Sequence, residues 1–185
     1  MAMRALFAAL LLSGIASSPL EAACPGGPAS SFTVTGQVKT PTVFYPNNLG
    51  QLPVAQANVT YFAAGSVTTQ SFTGALLWDL LDSPPVGGIV VDPTIKNDIL
   101  RKIIIVTGSD CYQSVFGAGE NNPAFGGSQI MVAYGVNGGP LEANGFARIV
   151  VPGDKQGGRF VSNIVNIDVE DTSSFPMIPP TKPHW

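Results

Sequence analysis

The stretch Thr107-Gly-Ser-Asp-Cys-Tyr112 decides how this chain reads, together with Ala133-Tyr-Gly-Val-Asn-Gly-Gly-Pro-Leu141 and Arg148-Ile-Val-Val-Pro-Gly-Asp-Lys155. Each segment places a polar or flexible cluster directly after an apolar run. Such strand-to-loop transitions are where a rigid sheet presents chemistry on a loop.

Working outward, Lys102-Ile-Ile-Ile-Val-Thr107 is a continuous β-branched run, and it predicts a strand covered on both faces. Alternation predicts further strands at 32–38, 58–62, 67–72 and 160–169. Shorter strands are expected at 42–45, 113–116, 129–136 and 147–151. Ala63-Ala64-Gly65-Ser66 between two alternating runs reads as a hairpin, and Asn137-Gly138 as a tight turn. Residues 46–53, with two prolines and Gly50, read as loop, and 117–127 as a loop with one helical turn at 120–123. Thr73 is placed to cap a helix over 75–81, where Leu77, Leu80 and Leu81 share a face. Pro84-Pro85 and Gly87-Gly88 end it. Thr94 is placed to cap a second short helix over 94–100. The sum is α+β with strands in the majority.

The chain has 185 residues with 21 Gly and 16 Pro. The Gly and Pro content suits a domain of many turns. Residues 1–23 have secretory form: Arg4, an apolar stretch at 5–12, breaks at Gly14 and Pro19, and small residues Ala22-Ala23. The apolar stretch is too short for a membrane span. Periplasmic or secreted localisation follows, with cleavage near Ala23, a linker at 24–31, one domain at 32–170 and a Pro-rich tail at 171–185. The net charge is −3 and only 11% of residues are charged. With no basic cluster, nucleic acid is excluded as a partner, and no transmembrane segment is expected in the mature chain.

The only cysteines are Cys24 and Cys111. In an oxidising compartment a disulfide between them is open, but spacing alone does not show that they approach. Cys24 also stands where a lipoprotein cysteine would, although Glu21 occupies the position three before it that a lipobox gives to Leu.

The ordered set Phe72-Thr-Gly-Ala-Leu-Leu-Trp-Asp-Leu-Leu81, Val106-Thr-Gly-Ser-Asp-Cys-Tyr-Gln113, Ala133-Tyr134, Asn137-Gly-Gly-Pro-Leu141 and Arg148-Ile-Val-Val-Pro-Gly153 resembles the oxidoreductase molybdopterin-binding domain of the sulfite oxidase type. The similarity runs over 32–169 and is greatest to small exported single-domain members. It implies the mixed α+β, strand-rich sulfite oxidase molybdopterin-domain fold with few short helices. In that family a cysteine thiolate ligates molybdenum, soft sulfur suiting the metal, while basic and polar residues hold the pterin and its phosphate.

Here the matching region, 54–72, contains neither Cys nor His, and Tyr61 is its only ionisable side chain. The family's Asp-Gly-Tyr loop reads Asp110-Cys111-Tyr112. Its Lys-Trp, after Arg159, reads Val161-Ser162-Asn163. By resemblance the cofactor-binding candidates are Asp110, Cys111, Tyr112, Arg148, Lys155 and Arg159.

Each candidate has two readings. Cys111 is a thiolate ligand or redox thiol, or else a buried small residue or half of a disulfide; a neighbouring carboxylate, Asp110, disfavours the thiolate. Asp110 and Tyr112 face a ligand, or they bond loop amides and pack a ring. Arg148, Lys155 and Arg159 hold an anion together, or they pair with Asp154, Asp168 or Glu142. The 153–158 stretch lacks the spacing of a phosphate loop. His184, the sole histidine, makes neither a zinc site nor a catalytic triad. Asp79 and Asp82 read as solvent-facing, and Met131 and Met177 form no copper-like cluster.

The expectation is an exported, non-catalytic binding or accessory module that lacks the molybdenum-ligating cysteine, with no cofactor and with a small anionic or pterin-like ligand or an exported redox protein as partner. Two alternatives stand beside it. One is a molybdenum-molybdopterin oxidoreductase using Cys111 or non-thiolate contacts. The other is a structural subunit of an exported redox complex.

Overall fold

The computed structural model describes residue 24 and residues 26–175. The leader expected at 1–23 and the tail residues Met177, His184 and Trp185 lie outside the described residues.

Two mixed-length sheets carry the fold. The first runs in the order β2 (Thr42–Phe44), β1 (Phe32–Gly36), β10 (Ile164–Asp171), β5 (Lys102–Gly108), β6 (Gln113–Gly117). β1 lies parallel to β10, with Val34 opposite Ile167. β10–β5 and β5–β6 are antiparallel. The second sheet runs β3 (Ala55–Ala63), β4 (Ser66–Leu76), β7 (Met131–Val136), β8 (Gly139–Pro140), with β9 (Arg148–Val150) also paired to β7. Helices are short: α1 (Pro46–Leu49), α2 (Leu77–Asp82), α3 (Ala118–Asn121) and several single 3₁₀ turns. The fold is α+β and strand-rich.

The two sheets and α2 bury one apolar cluster. Val34, Ile104, Val106, Ile167 and Val169 come from the first sheet, Val59, Phe72 and Val132 from the second, and Leu77, Leu80 and Leu81 from the helix. Burial of such side chains is the main stabilising term, at about 1.5–3 kcal/mol each. The β3–β4 hairpin holds nine consecutive pairs, from Ala55 opposite Gly74 to Ala63 opposite Ser66. Ala64 and Gly65 turn it with φ of 49° and 82°, the two left-handed residues that a twisted two-residue hairpin requires.

Several expectations need correction. Ala75 and Leu76 belong to β4, so α2 starts at Leu77 and Thr73 caps nothing. Pairing of Ala75 with Val132 and Leu76 with Met131 holds them extended; tertiary pairing has overridden helix propensity. The helix expected over 94–100 is a 3₁₀ turn at Asp98–Arg101. Asn97 has φ of 56°, which no continuous helix accommodates. Asp92, not Thr94, acts as the local acceptor, taking the Thr94 N–H at 2.8 Å. The loop at 46–53 contains α1, anchored by buried Leu49.

β5 is not covered on both faces. Lys102, Ile104, Val106 and Gly108 are buried, while Ile103, Ile105 and Thr107 are half-buried. On that more open face Ile105 lies between Asp168 and Val115, and Val115 is exposed. The last strand starts at Ile164 rather than at 160, because Asn163 has φ of 51° and donates its N–H to the Asn144 carbonyl.

Candidate functional site

The loop after β5 turns back at once. The Cys111 N–H donates to the Gly108 carbonyl at 3.0 Å, and the Gly108 N–H donates to the Tyr112 carbonyl at 2.9 Å. Asp110 accepts the Tyr112 N–H at 3.0 Å. Cys111 has φ of 68°, a conformation natural to glycine and uncommon for a side-chain-bearing residue. That is the position where the resembling family places its glycine.

Cys111 is bonded to Cys24 across 87 residues of sequence, with Cα atoms 5.4 Å apart. The N-terminal segment is tied down beside this loop. Ser109 donates its hydroxyl to the Gly27 carbonyl at 2.6 Å, and the Gly26 N–H donates to the Ser109 carbonyl at 2.8 Å. Neither cysteine is free.

Tyr112 reaches the other loop of interest by donating its hydroxyl to the Gly158 carbonyl. Next to it, Arg159 makes a two-pronged contact with Asp154, Nε to Oδ2 and Nη2 to Oδ1, each at 2.8 Å. Its Nη1 meets Glu120 at 3.2 Å, and its guanidinium stacks 5.3 Å from the Phe116 ring centre. The Asp154 carboxylate, with help from Glu120 and against partial burial, holds this guanidinium above its already high range.

Arg148 lies elsewhere, on β9 opposite Ala133. It stacks 5.6 Å from the Phe160 ring centre, and its Nε is buried without a hydrogen-bond partner among the described residues. Lys155 is exposed, and its carbonyl accepts the Phe62 N–H at 2.9 Å. The three cations therefore have separate surroundings, and Arg159 is engaged by its own carboxylates.

Sequence reasoning missed two arrangements. The first is a buried ionic cluster. Lys102 Nζ lies 2.5 Å from Asp171 and 3.1 Å from Asp98, and Arg101 joins both carboxylates at 3.2 and 3.3 Å. Lys102 and Asp98 are 4% and 3% exposed. Burial lowers the Lys102 pKa, but hydrogen bonds to Asp171 and Asp98 outweigh it and hold the ammonium above its usual range. The same Lys102 bond, aided by Ser173, keeps Asp171 well below the usual carboxylate range. Asp98 is lowered first by the Asp92 N–H. The i,i+4 spacing of Asp98 and Lys102 was the only signal available in the sequence, and nothing local pointed to Asp171.

The second is a cleft of about 330 Å³ lined by Thr73, Tyr134, Gly135, Gly138, Gly139 and Pro140. It forms at a bulge in the β4–β7 ladder: Thr73 pairs with Gly135 and Gly74 with Ala133, leaving Tyr134 as the extra residue. A bulge re-aims a side chain. Gly74 permits the close approach of these strands, since a Cβ there would lie 2.3 Å from the Val132 carbonyl oxygen.

Thiolate-held molybdenum does not fit these residues. Both sulfurs are committed to the disulfide. Among the described residues no three His, Cys, Asp or Glu side chains are grouped to hold a metal, and no helix is long and apolar enough to cross a membrane.

No protein-family model matches the chain, and no curated protein matches it. Among solved structures, the chain is similar to the sulfane dehydrogenase SoxCD from Paracoccus pantotrophus, with a TM-score of 0.59 and 19% identity. The match covers 76% of this chain and 38% of that one. It is a likeness of fold, and the present chain spans little more than a third of the dehydrogenase's length.

Proposed function

We propose that this protein is an exported, non-catalytic binding or accessory module on a sulfite-oxidase-type scaffold, and that it does not hold molybdenum through a thiolate. The observation that carries this reading is the Cys24–Cys111 bond. A metal of this kind takes sulfur as thiolate, and a disulfide sulfur is not one. The only cysteine within the family-like region is thus removed from the ligand set.

Two further points support the reading. Disulfides persist in oxidising compartments, which favours export. Arg159, which follows the Gly158 contact of Tyr112, is paired with Asp154 and Glu120; their negative charges disfavour an incoming phosphate there. Likeness of fold to a dehydrogenase does not transfer its chemistry. An exported redox protein remains the partner class that the scaffold suggests.

Elemental analysis of protein purified from its native host, disulfide intact, tests the proposal. Molybdenum far below one equivalent per chain is expected. One equivalent that is lost in Cys111→Ser would instead establish the oxidoreductase alternative.

A further inference from the structure

Residues 40–78 contain no Asp, Glu, Lys, Arg or His. They include the whole β3–β4 hairpin, whose two faces differ. Val59 and Tyr61 point into the core, the Tyr61 hydroxyl bonding Gln70 at 2.6 Å. The opposite face presents Gln56, Asn58 and Thr60, directly across from Thr73, Ser71 and Thr69. Thr60 and Thr69 join their hydroxyls at 2.8 Å. The result is a strip of amide and hydroxyl groups about 14 Å long. At its Thr73 end it runs into the bulge cleft with Tyr134 on the wall.

The chemistry of this surface narrows its ligand. No charged side chain lines the cleft, so a charged ligand would lose hydration without an ionic partner. A purely apolar ligand would strip water from hydroxyls and amides and return no hydrogen bonds. The tyrosine offers an apolar ring face with a polar tip, and the glycines beside it carry no side chain to block a ring. A ring with apolar C–H faces and a rim of hydroxyls satisfies all of these at once. The cleft volume lies at the small end of the ligand-pocket range, which suits a single ring with its neighbours lying on the open strip.

We propose that the cleft and the strip leading from it bind a short, uncharged oligosaccharide, one sugar ring resting on Tyr134 and its hydroxyls meeting Thr73. The proposal rests on the reading of the chain as a binding module and adds the ligand class. Its site is on the other sheet from the Cys111 loop.

Calorimetric titration of the disulfide-intact protein with cellohexaose, maltohexaose and xylohexaose tests it, with hexagalacturonate as the charged control. At least one neutral hexaose should bind, with affinity unchanged by added salt and with no binding of the control. Tyr134→Ala should weaken binding about ten-fold or more. Thr60→Lys, on the exposed strip, should also weaken it, and serves if the tyrosine variant does not fold. Failure of all three hexaoses to bind, indifference to both substitutions, or preference for the charged control would overturn the proposal. Molybdenum content reports separately. One equivalent in a protein that binds a hexaose defeats the non-catalytic reading alone, whereas a molybdenum-free protein that ignores every hexaose defeats the oligosaccharide site alone.

Discussion

Lys102, the first residue of β5, meets Asp171, the last residue of β10, at 2.5 Å. The pair closes the ladder at the end where the 3₁₀ turn Asp98–Arg101 enters, and Asp98 completes it at 3.1 Å. A buried lysine survives only with such partners. The contact pins the entry to the central antiparallel pair of the first sheet.

Removing Lys102 leaves the buried Asp98 carboxylate with only the more exposed Arg101 as its cation, and an under-compensated buried charge is costly. Lys102→Met should therefore lower Tm on the order of 10 °C, while the exposed Lys155→Met should change it little. Thermal unfolding followed by circular dichroism checks both, and equal small shifts would contradict the role given to Lys102.

The carboxylates at this end of the first sheet respond to pH in opposite directions. Asp171 and Asp98 are depressed below 3.8. Their contribution is complete above that value and fades as pH falls toward the folded-state values. Glu170 is raised above 4.5 by burial and then by Asp168, so it costs nothing below 4.5 and carries a penalty once ionised. Glu170→Gln should raise the urea midpoint at pH 7 and leave it unchanged at pH 3. A loss at pH 7 would show that Glu170 is stabilising.

The disulfide spans 87 residues, a long loop whose closure restricts the unfolded chain. Paired Cys24→Ser and Cys111→Ser substitution should cost about 2–4 kcal/mol. Urea denaturation of the wild-type protein with and without reductant should show the same difference. Equal midpoints would remove any structural role for the bond.

Gly74→Ala should cost about 3 kcal/mol, because its Cβ would stand 2.3 Å from the Val132 oxygen and 2.5 Å from the Ala133 Cα. Forcing β4 from β7 should also displace Tyr134 from the cleft. The checks are the urea midpoint and hydrogen exchange at 132–135; unchanged exchange there would mean the ladder absorbs the methyl group elsewhere.

Much of the fold was legible because it is local. Alternation in Asn58-Val-Thr-Tyr-Phe62 marks a strand with one buried face, and Asn137-Gly138 carries the left-handed turn its sequence announces. The start of α2 was illegible, because Ala75 and Leu76 suit a helix by propensity and a strand by their pairing with Val132 and Met131. Of the candidate residues, Tyr112 was found with its loop contact unforeseen, since Gly158 lies 46 residues away. Arg159 met Asp154, one of the carboxylates anticipated for the basic group. Tyr134 was quoted for resemblance and not as a site, since a bulge exists only relative to a partner strand.

The amino-acid order alone determined strand-rich character, turn positions, the absence of charge over 40–78 and the presence of just two cysteines. These follow from side-chain chemistry and from spacing within a few residues. Only the tertiary structure decided that Cys111 bonds Cys24, that Lys102 is neutralised by Asp171, and that Tyr134 stands beside Thr73. Each joins residues more than sixty positions apart, and such proximity arises from sheet pairing and core burial, which no local pattern encodes.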